Sequence, residues 1–574
     1  MTGFRTDKMK ETYVGKEKIL LALLPFWPPQ IPPLGIACLK GFLRAQGFKV
    51  KTVDANIEEA FNEIDNKYFD TLKEYVPENK RGNFYNIGQD VLRNHMMAHL
   101  NKKNEKEYLD LVKLIIYNTF YTPVDDDRVL QLNRVLSEFY KRLENYIFDL
   151  LGKEKPTLLG LSVNRGNLPA SLFTFKQTRK KYPQIKTVMG GPVFAQSLCK
   201  GTSDFDYFLK KTRDYIDKII IGEGEHLFLK LLQGELSESR RVHTVEEINN
   251  EILDLSTVDI PDFSDLKLRF YPNLAAYTSR SCPFQCSFCS ETVYWGKYRK
   301  KPAGQIVDEL TRLYTKHNHQ LFLMCDSLLN PVVDEVAETF INSDDSIYWD
   351  GYLRIDKNTC DSEKVLRWRR GGLYRARLGI ESGSPHVLEA MGKKIPIKQI
   401  KASISTLAHA GIKTTTYWVI GHPGETEEDF LLTLDMLEEL KDDIFEAWCS
   451  PFNYYLTGQV KSRQWAEKST LLYPRDAKDM LVVQTWVLDC MPSREQAYAR
   501  MNRFVAHCSK LGIPNPYSLI DFYKADERWK ELHKNAVPPL VDFENSHIYI
   551  DENKKVKHLV TAQKKLSDDL SFGF

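Results

Sequence analysis

Cys282, Cys286 and Cys289 lie in Tyr277-Thr-Ser-Arg-Ser-Cys-Pro-Phe-Gln-Cys-Ser-Phe-Cys-Ser-Glu291 and put three thiols on one short stretch. Thiolate is a soft ligand, and three of them suit an iron–sulfur cluster or zinc. A closed structural site takes four ligands. No fourth cysteine or histidine is near; the next cysteine is Cys325. A zinc clip therefore lacks a ligand, whereas a four-iron cluster held at three corners keeps one iron open for chemistry. The ten cysteines of the chain are irregularly spaced outside this group. They form no disulfide framework and point to a reducing cytoplasm.

The elements that must position these thiols follow from the apolar rhythm. Short apolar runs at Leu274–Thr278, Gln320–Met324, Ile347–Leu353, Ala376–Ile380, Lys413–Ile420 and Glu446–Phe452 alternate with helical patterns. Such strand–helix units predict a partial (β/α)6 barrel over 271–459, with the cysteines on the loop after its first strand. Upstream, Lys18–Leu24 and Val50–Asp54 read as buried strands flanking a helix over Leu34–Arg44. Residues 58–151 are helical, charged and aromatic, and read as an inserted helical subdomain. The α/β rhythm resumes at Thr157–Val163, Thr187–Met189 and Lys218–Ile221.

The expected fold class is therefore α/β. Residues 18–57 and 152–240 form a doubly wound, Rossmann-like domain, followed by the barrel. Residues 1–17 are read as a leader, 241–270 as a linker and 460–574 as a mostly helical domain capping the barrel mouth. Ligands of doubly wound sheets sit beyond the carboxyl ends of the strands. The loops there hold Ser162, Gly190, Gly191, Gly222 and Gly224, and glycines permit close backbone approach to a ligand.

Bulk properties narrow the function. The 574 residues carry a net charge of +2 with both signs interspersed, which argues against nucleic acid as the partner. No apolar run reaches membrane-spanning length and no signal peptide is visible, so a cytoplasmic location without a membrane is expected.

The cysteine spacing, with the aromatic Phe288 just before the last cysteine, resembles the radical S-adenosylmethionine (SAM) superfamily. Met324-Cys-Asp326 resembles the family's second-strand end, near the SAM amino group. Arg354 follows the third strand. Gly379-Ile-Glu381-Ser382-Gly383 resembles the fourth-strand motif, and Gly421-His-Pro423-Gly424 the loop near adenine. The resemblance implies a 4Fe–4S cluster on Cys282, Cys286 and Cys289, and SAM chelated to the open iron. Electron transfer from a donor such as flavodoxin or ferredoxin would then cleave SAM to a 5′-deoxyadenosyl radical. Tyr294 and Trp295 are candidates for the rim of the site. Cys325 is read as structural and His422 as a loop residue.

The upstream domain resembles the cobalamin-binding domain that precedes many radical SAM domains. The matching stretches are Pro32-Pro33-Leu34-Gly35, Gly160-Leu-Ser162 with Val163 and Asn164 behind it, Gly190-Gly191-Pro192, and Gly222-Glu223-Gly224-Glu225. The Asp-x-His-x-x-Gly motif that ligates cobalt elsewhere is missing, so the resemblance implies cobalamin without that histidine. An NAD fingerprint is also missing, because Gly222-Glu-Gly-Glu-His-Leu has no third glycine. The pairing implies a methyltransferase that passes a methyl through methylcobalamin to an unactivated carbon of a natural-product intermediate or peptide. The alternatives are a cobalamin-associated oxidation, ring contraction or cyclisation, and a non-enzymatic regulator; no basic recognition helix supports the last.

Overall fold

The computed structural model describes residues 17–26, 30–343, 345–515 and 519–533. Most of the expected leader, Trp27 to Pro29 of the proline-rich loop, and the chain after 533 lie outside the described residues.

Two parallel sheets organise the chain. The first has the order β2-β1-β3-β4-β5-β6. Its strands are β1 (Lys18–Leu23), β2 (Lys49–Asp54), β3 (Leu158–Ser162), β4 (Lys186–Gly190), β5 (Lys218–Ile221) and β6 (Val242–Thr244). Ile19 to Leu23 are buried, as expected of an apolar run in a sheet covered on both faces. Helix α1 (Leu34–Ala45) joins β1 to β2. The order reverses at β1, the switch point beside which such sheets bind ligands.

Between β2 and β3 stand α2 (Glu59–Tyr75), α3 (Phe84–Asn101), α4 (Glu105–Phe120) and α5 (Asp126–Glu154). This is the expected helical insertion. Helix α5 starts where the Asp125 side chain accepts the Arg128 N–H at 2.9 Å. Its buried Val129, Leu132, Leu136, Phe139 and Leu143 recur at helical spacing and continue into the core of the first sheet.

The second sheet has six parallel strands in sequence order: β7 (Leu274–Ala276), β8 (Leu321–Met324), β9 (Tyr348–Leu353), β10 (Leu373–Glu381), β11 (Lys413–Ile420) and β12 (Glu446–Pro451). The connecting helices include α6 (Ala303–His317), α7 (Ile397–His409) and α8 (Glu427–Glu439), and α9 (Arg494–Lys510) follows the sheet. No described helix is long and apolar enough to cross a membrane.

The expected linker 241–270 is not free chain. Its first residues form β6 on the edge of the first sheet. Further on, Asp262 accepts from Arg44, and Lys40 reaches Asp265 at 2.6 Å. The Asp262 N–H donates to the Ala37 carbonyl at 3.0 Å. The segment therefore straps α1 through ion pairs that a polar sequence does not reveal.

Candidate active site

The cysteine loop leaves β7 and is fixed from three sides. The Ser287 N–H donates to the Met391 carbonyl at 2.8 Å, while the Val460 and Lys461 N–H groups donate to the Cys289 and Ser287 carbonyls at 3.2 and 3.0 Å. Gln459 Nε2 donates to the Phe288 carbonyl at 2.9 Å. Phe288 thus contributes its backbone to the fixing of the loop. Burial pushes the Cys289 thiol up to about 12, and the neighbouring Cys286 and Cys282 add to the rise. Burial also raises Cys282. Among the described residues no three His, Cys, Asp or Glu side chains group as the ligands of one metal ion. The three thiols instead lie spread along a single loop, with the Arg354 guanidinium 3.7 Å from Cys286 Sγ. Three soft donors on one loop, with a cation beside them, suit a thiolate-bound cluster.

The later strand ends reach the same loop in different ways. Arg354, after β9, stacks 4.0 Å from the Phe284 ring centroid and donates to the Lys393 carbonyl. Lys393 pairs with Glu381 at 2.5 Å. Cys286, Arg354, Lys393 and Glu381 therefore form one chain of contacts. Glu381 has φ +69°, a left-handed conformation unusual for a residue other than glycine.

Asp326 instead faces the end of β7. It accepts from the Thr278 N–H at 2.7 Å, the Thr278 hydroxyl at 2.6 Å and the Ser279 hydroxyl at 3.1 Å. It braces the root of the cysteine loop. Ser382 turns toward α8, 3.4 Å from Thr433 Oγ1, and accepts from the Ser384 N–H at 3.1 Å; its role in this structure is to shape the strand end. Gly421 donates to Glu425 at 2.9 Å. The Gly424 N–H donates to the Met491 carbonyl at 2.8 Å. His422 is edge-on to Phe452 and Trp465; burial pushes it down to about 4, so it is neutral at physiological pH.

A cavity of about 1720 Å³, open mouth included, lies at the carboxyl ends of the first sheet. Pro33, Leu34, Ser162, Asn164, Gly190, Gly191, Gly222, Glu223 and Gly224 line it. Its far wall belongs to the barrel side: Tyr294, Trp295, Cys325 and Asp326. Cys325, read from sequence as structural, is an exposed residue on that wall. Val163 does not face the cavity. It is fully buried, and its N–H and carbonyl are spent on Gly190 and Val193. No histidine is among the lining residues. The cavity's mostly apolar, glycine-bordered wall suits a large, flat ligand whose backbone contacts come from the glycine loops.

Gly191 is where backbone meets backbone. A Cβ there would stand 2.5 Å from both the N and O of Val163, at φ +113°. Gly191→Ala is expected to cost about 1–3 kcal/mol and to loosen the β4 loop. Denaturant unfolding checks this; a midpoint equal to the parent's would show that the loop relaxes freely.

Glu223 has a task that the glycine motif does not announce. It pairs with Arg280 at 2.7 Å and with Arg299 at 2.5 Å, and Arg280 also pairs with Glu225 at 2.5 Å. Burial opposes the charge on Glu223, but Arg299, Arg280 and the Leu253 N–H lower its pKa on balance. These carboxylates bind the first domain to the hairpin that carries the cysteine loop.

A second cavity lies on the other side of the barrel mouth. Helix α3, the loops after β3, β11 and β12, and residues 481–498 line it. Arg93, Arg165 and Asp90 are among its wall residues. They come from elements far apart in sequence, and no local spacing marks them. Helix α9 packs on β11 and β12.

Residues 277–437 match the family model of the Radical SAM superfamily, so the barrel is a radical SAM domain. Among curated proteins, the anaerobic magnesium-protoporphyrin IX monomethyl ester cyclase of Rubrivivax gelatinosus is 27% identical over 335 residues, 52% of this chain and 57% of that protein. An uncharacterized methyltransferase of Pyrococcus horikoshii is 25% identical over 321 residues, 52% of this chain and 67% of that protein. The matched stretches thus span between about half and two thirds of these relatives. Among solved structures, the radical SAM methyltransferase TsrM from Kitasatospora setae, with cobalamin and a 4Fe–4S cluster bound, covers 90% of this chain and 99% of its own, with a TM-score of 0.56 and 14% identity. That likeness establishes a common fold across both domains.

Proposed function

We propose that the chain is a cobalamin-dependent radical SAM methyltransferase acting on an unactivated carbon of a small molecule or peptide. The supporting observation is the first cavity, which opens at once on the glycine loops of the first sheet and on Cys325, Asp326 and Tyr294 of the barrel side. One cavity there borders both domains, as a reaction that draws on a cofactor of each requires.

When bound, cluster and SAM supply a radical that removes a substrate hydrogen, and cobalamin supplies the methyl group. The chain's own part is placement and exclusion of water. Cys282, Cys286 and Cys289 would hold the cluster, while Arg354 and Lys393 hold the loop and Glu381 together. Pro33, Leu34, Ser162, Asn164 and the glycines of the β4 and β5 loops would hold cobalamin. Asp326 and the Arg280–Glu223–Glu225 pairs fix the two halves of the site. The reductant, flavodoxin or ferredoxin, is part of this proposal.

A second reading keeps the cofactors and drops methyl transfer, in favour of oxidation or cyclisation. The likeness to the anaerobic cyclase favours it.

Cobalamin titration of the anaerobically reconstituted full chain tests the reading. One cobalamin per chain should bind, with a spectrum free of histidine ligation. Iron uptake without cobalamin binding would refute it.

A further inference from the structure

The second cavity, about 1220 Å³ with its open mouth, has an unusual charge balance. Arg93 of α3, Arg165 of the loop after β3 and Arg494 of α9 line one end, around the carboxylate of Asp90. Arg93 Nη1 donates to Asp90 Oδ1 at 2.7 Å, and Arg165 Nη2 stands 3.6 Å from the same oxygen. Arg494 is held over the Tyr498 ring, 4.2 Å from its centroid. It donates to the Tyr498 hydroxyl at 2.5 Å and to the Asn118 carbonyl at 3.2 Å. The other acidic wall residue is Asp204. It accepts from Trp486 Nε1 at 3.3 Å and the Gln484 N–H at 3.4 Å.

Two guanidiniums therefore share one carboxylate, and that of Arg494 lines the same cavity. Burial would raise the pKa of Asp90, but Arg165, Arg93 and Arg494 outweigh it and hold the carboxyl at about 2. Arg93 is lowered from its ordinary value by burial and by the nearby Arg165, whereas at Arg165 and Arg494 burial is outweighed by Asp90 and neighbouring tyrosines, which raise both. A confined cationic excess is costly unless an anion completes it. Guanidinium forks match the oxygens of carboxylate and phosphate.

The place of this charge matters as much as its sign. Consecutive residues of the β3 loop face the two cavities: Asn164 the first and Arg165 the second. Gly421 and Pro423, from the loop assigned to SAM by resemblance, are in the wall of the second cavity. A molecule held there lies against the barrel mouth and one residue away from the first cavity.

We propose that the second cavity is the substrate chamber, and that Arg93, Arg165 and Arg494 recognise an oxyanion, a carboxylate or a phosphate, on the substrate. This rests on the enzymatic reading above and names the chemical class of its substrate.

Trp486 is in the wall, so tryptophan fluorescence reports binding without turnover. The full chain is titrated with benzoate, inorganic phosphate and the neutral benzamide. Saturable binding of one or both anions is expected, at least about tenfold tighter than benzamide; the tighter anion identifies the group. Arg165→Gln should weaken that binding about tenfold, and Arg165→Lys should recover part of it. Asp90→Asn removes the competing carboxylate and should tighten anion binding, a gain that mere structural damage would not produce. Absence of saturable anion binding, equal binding of benzamide, or weaker binding by Asp90→Asn overturns the proposal. Should Arg165→Gln fail to fold, the Asp90→Asn arm decides. SAM cleavage by the unsubstituted enzyme is measured separately. Its failure with anion binding intact would refute the enzymatic reading and leave the oxyanion site standing.

Discussion

Replacing Cys282, Cys286 and Cys289 together by Ala should reduce iron content and 5′-deoxyadenosine formation to background. The loss follows from ligand count. The loop offers three thiols within eight residues, and the next cysteine in the chain is Cys325. Removing an outer partner of a metal site already costs about 10–100-fold, so removing the ligands themselves must cost more. The loop's own bonds to Met391, Gln459, Val460 and Lys461 run through backbone carbonyls and amides and through the Gln459 side chain. None of them uses a cysteine side chain, so the variant should keep its fold and its secondary-structure spectrum. Anaerobic iron counting and product chromatography check both halves. Retained SAM cleavage in a folded, cysteine-free loop would refute the ligand assignment.

Arg280→Met should be the most damaging single change outside the cysteine loop. The Arg280 side chain is 9% exposed, and the carboxylates it pairs with, Glu223 and Glu225, are each 7% exposed. Glu223 would retain Arg299, but Glu225 would lose its ion pair. A buried carboxylate stripped of its cation costs about 3–5 kcal/mol. The Arg280 guanidinium also stands 5.1 Å from the Trp295 ring centroid, on the wall of the first cavity. Affinity for cobalamin should therefore fall with stability. The double variant Arg280→Met, Glu225→Leu should regain most of the stability, because it removes the stranded charge. A double variant no better than the single one would mean that packing, not charge, holds the two domains here.

The sheets are legible because their strands are apolar runs, as at Ile19–Leu23, or β-branched and aromatic ones, as at Lys413–Ile420. Strand β6 is not, because three residues carry no period. The strap at Asp262 and Asp265 reads as a linker in sequence for a related reason: its hold on Lys40 and Arg44 is electrostatic and crosses the sequence. The cysteine loop was legible because its chemistry is local. Arg354 and Glu381 were found by motif, and Lys393, which joins them, was not. Glu223 was read as a cofactor contact because it stands between two glycines, yet the Arg280 and Arg299 side chains engage it. The cationic wall of Arg93, Arg165 and Arg494 left no trace in the sequence, since three separate elements converge only in the fold.

The central claim is that both domains serve one methyl transfer. It is tested most directly by the SAM-derived products of a single turnover mixture: reconstituted full chain, SAM, cobalamin, a reductant and oxyanion-bearing candidate substrates. The account predicts S-adenosylhomocysteine and 5′-deoxyadenosine together, with a substrate heavier by a methyl group. Deoxyadenosine without S-adenosylhomocysteine, beside an oxidised or cyclised product, would contradict it.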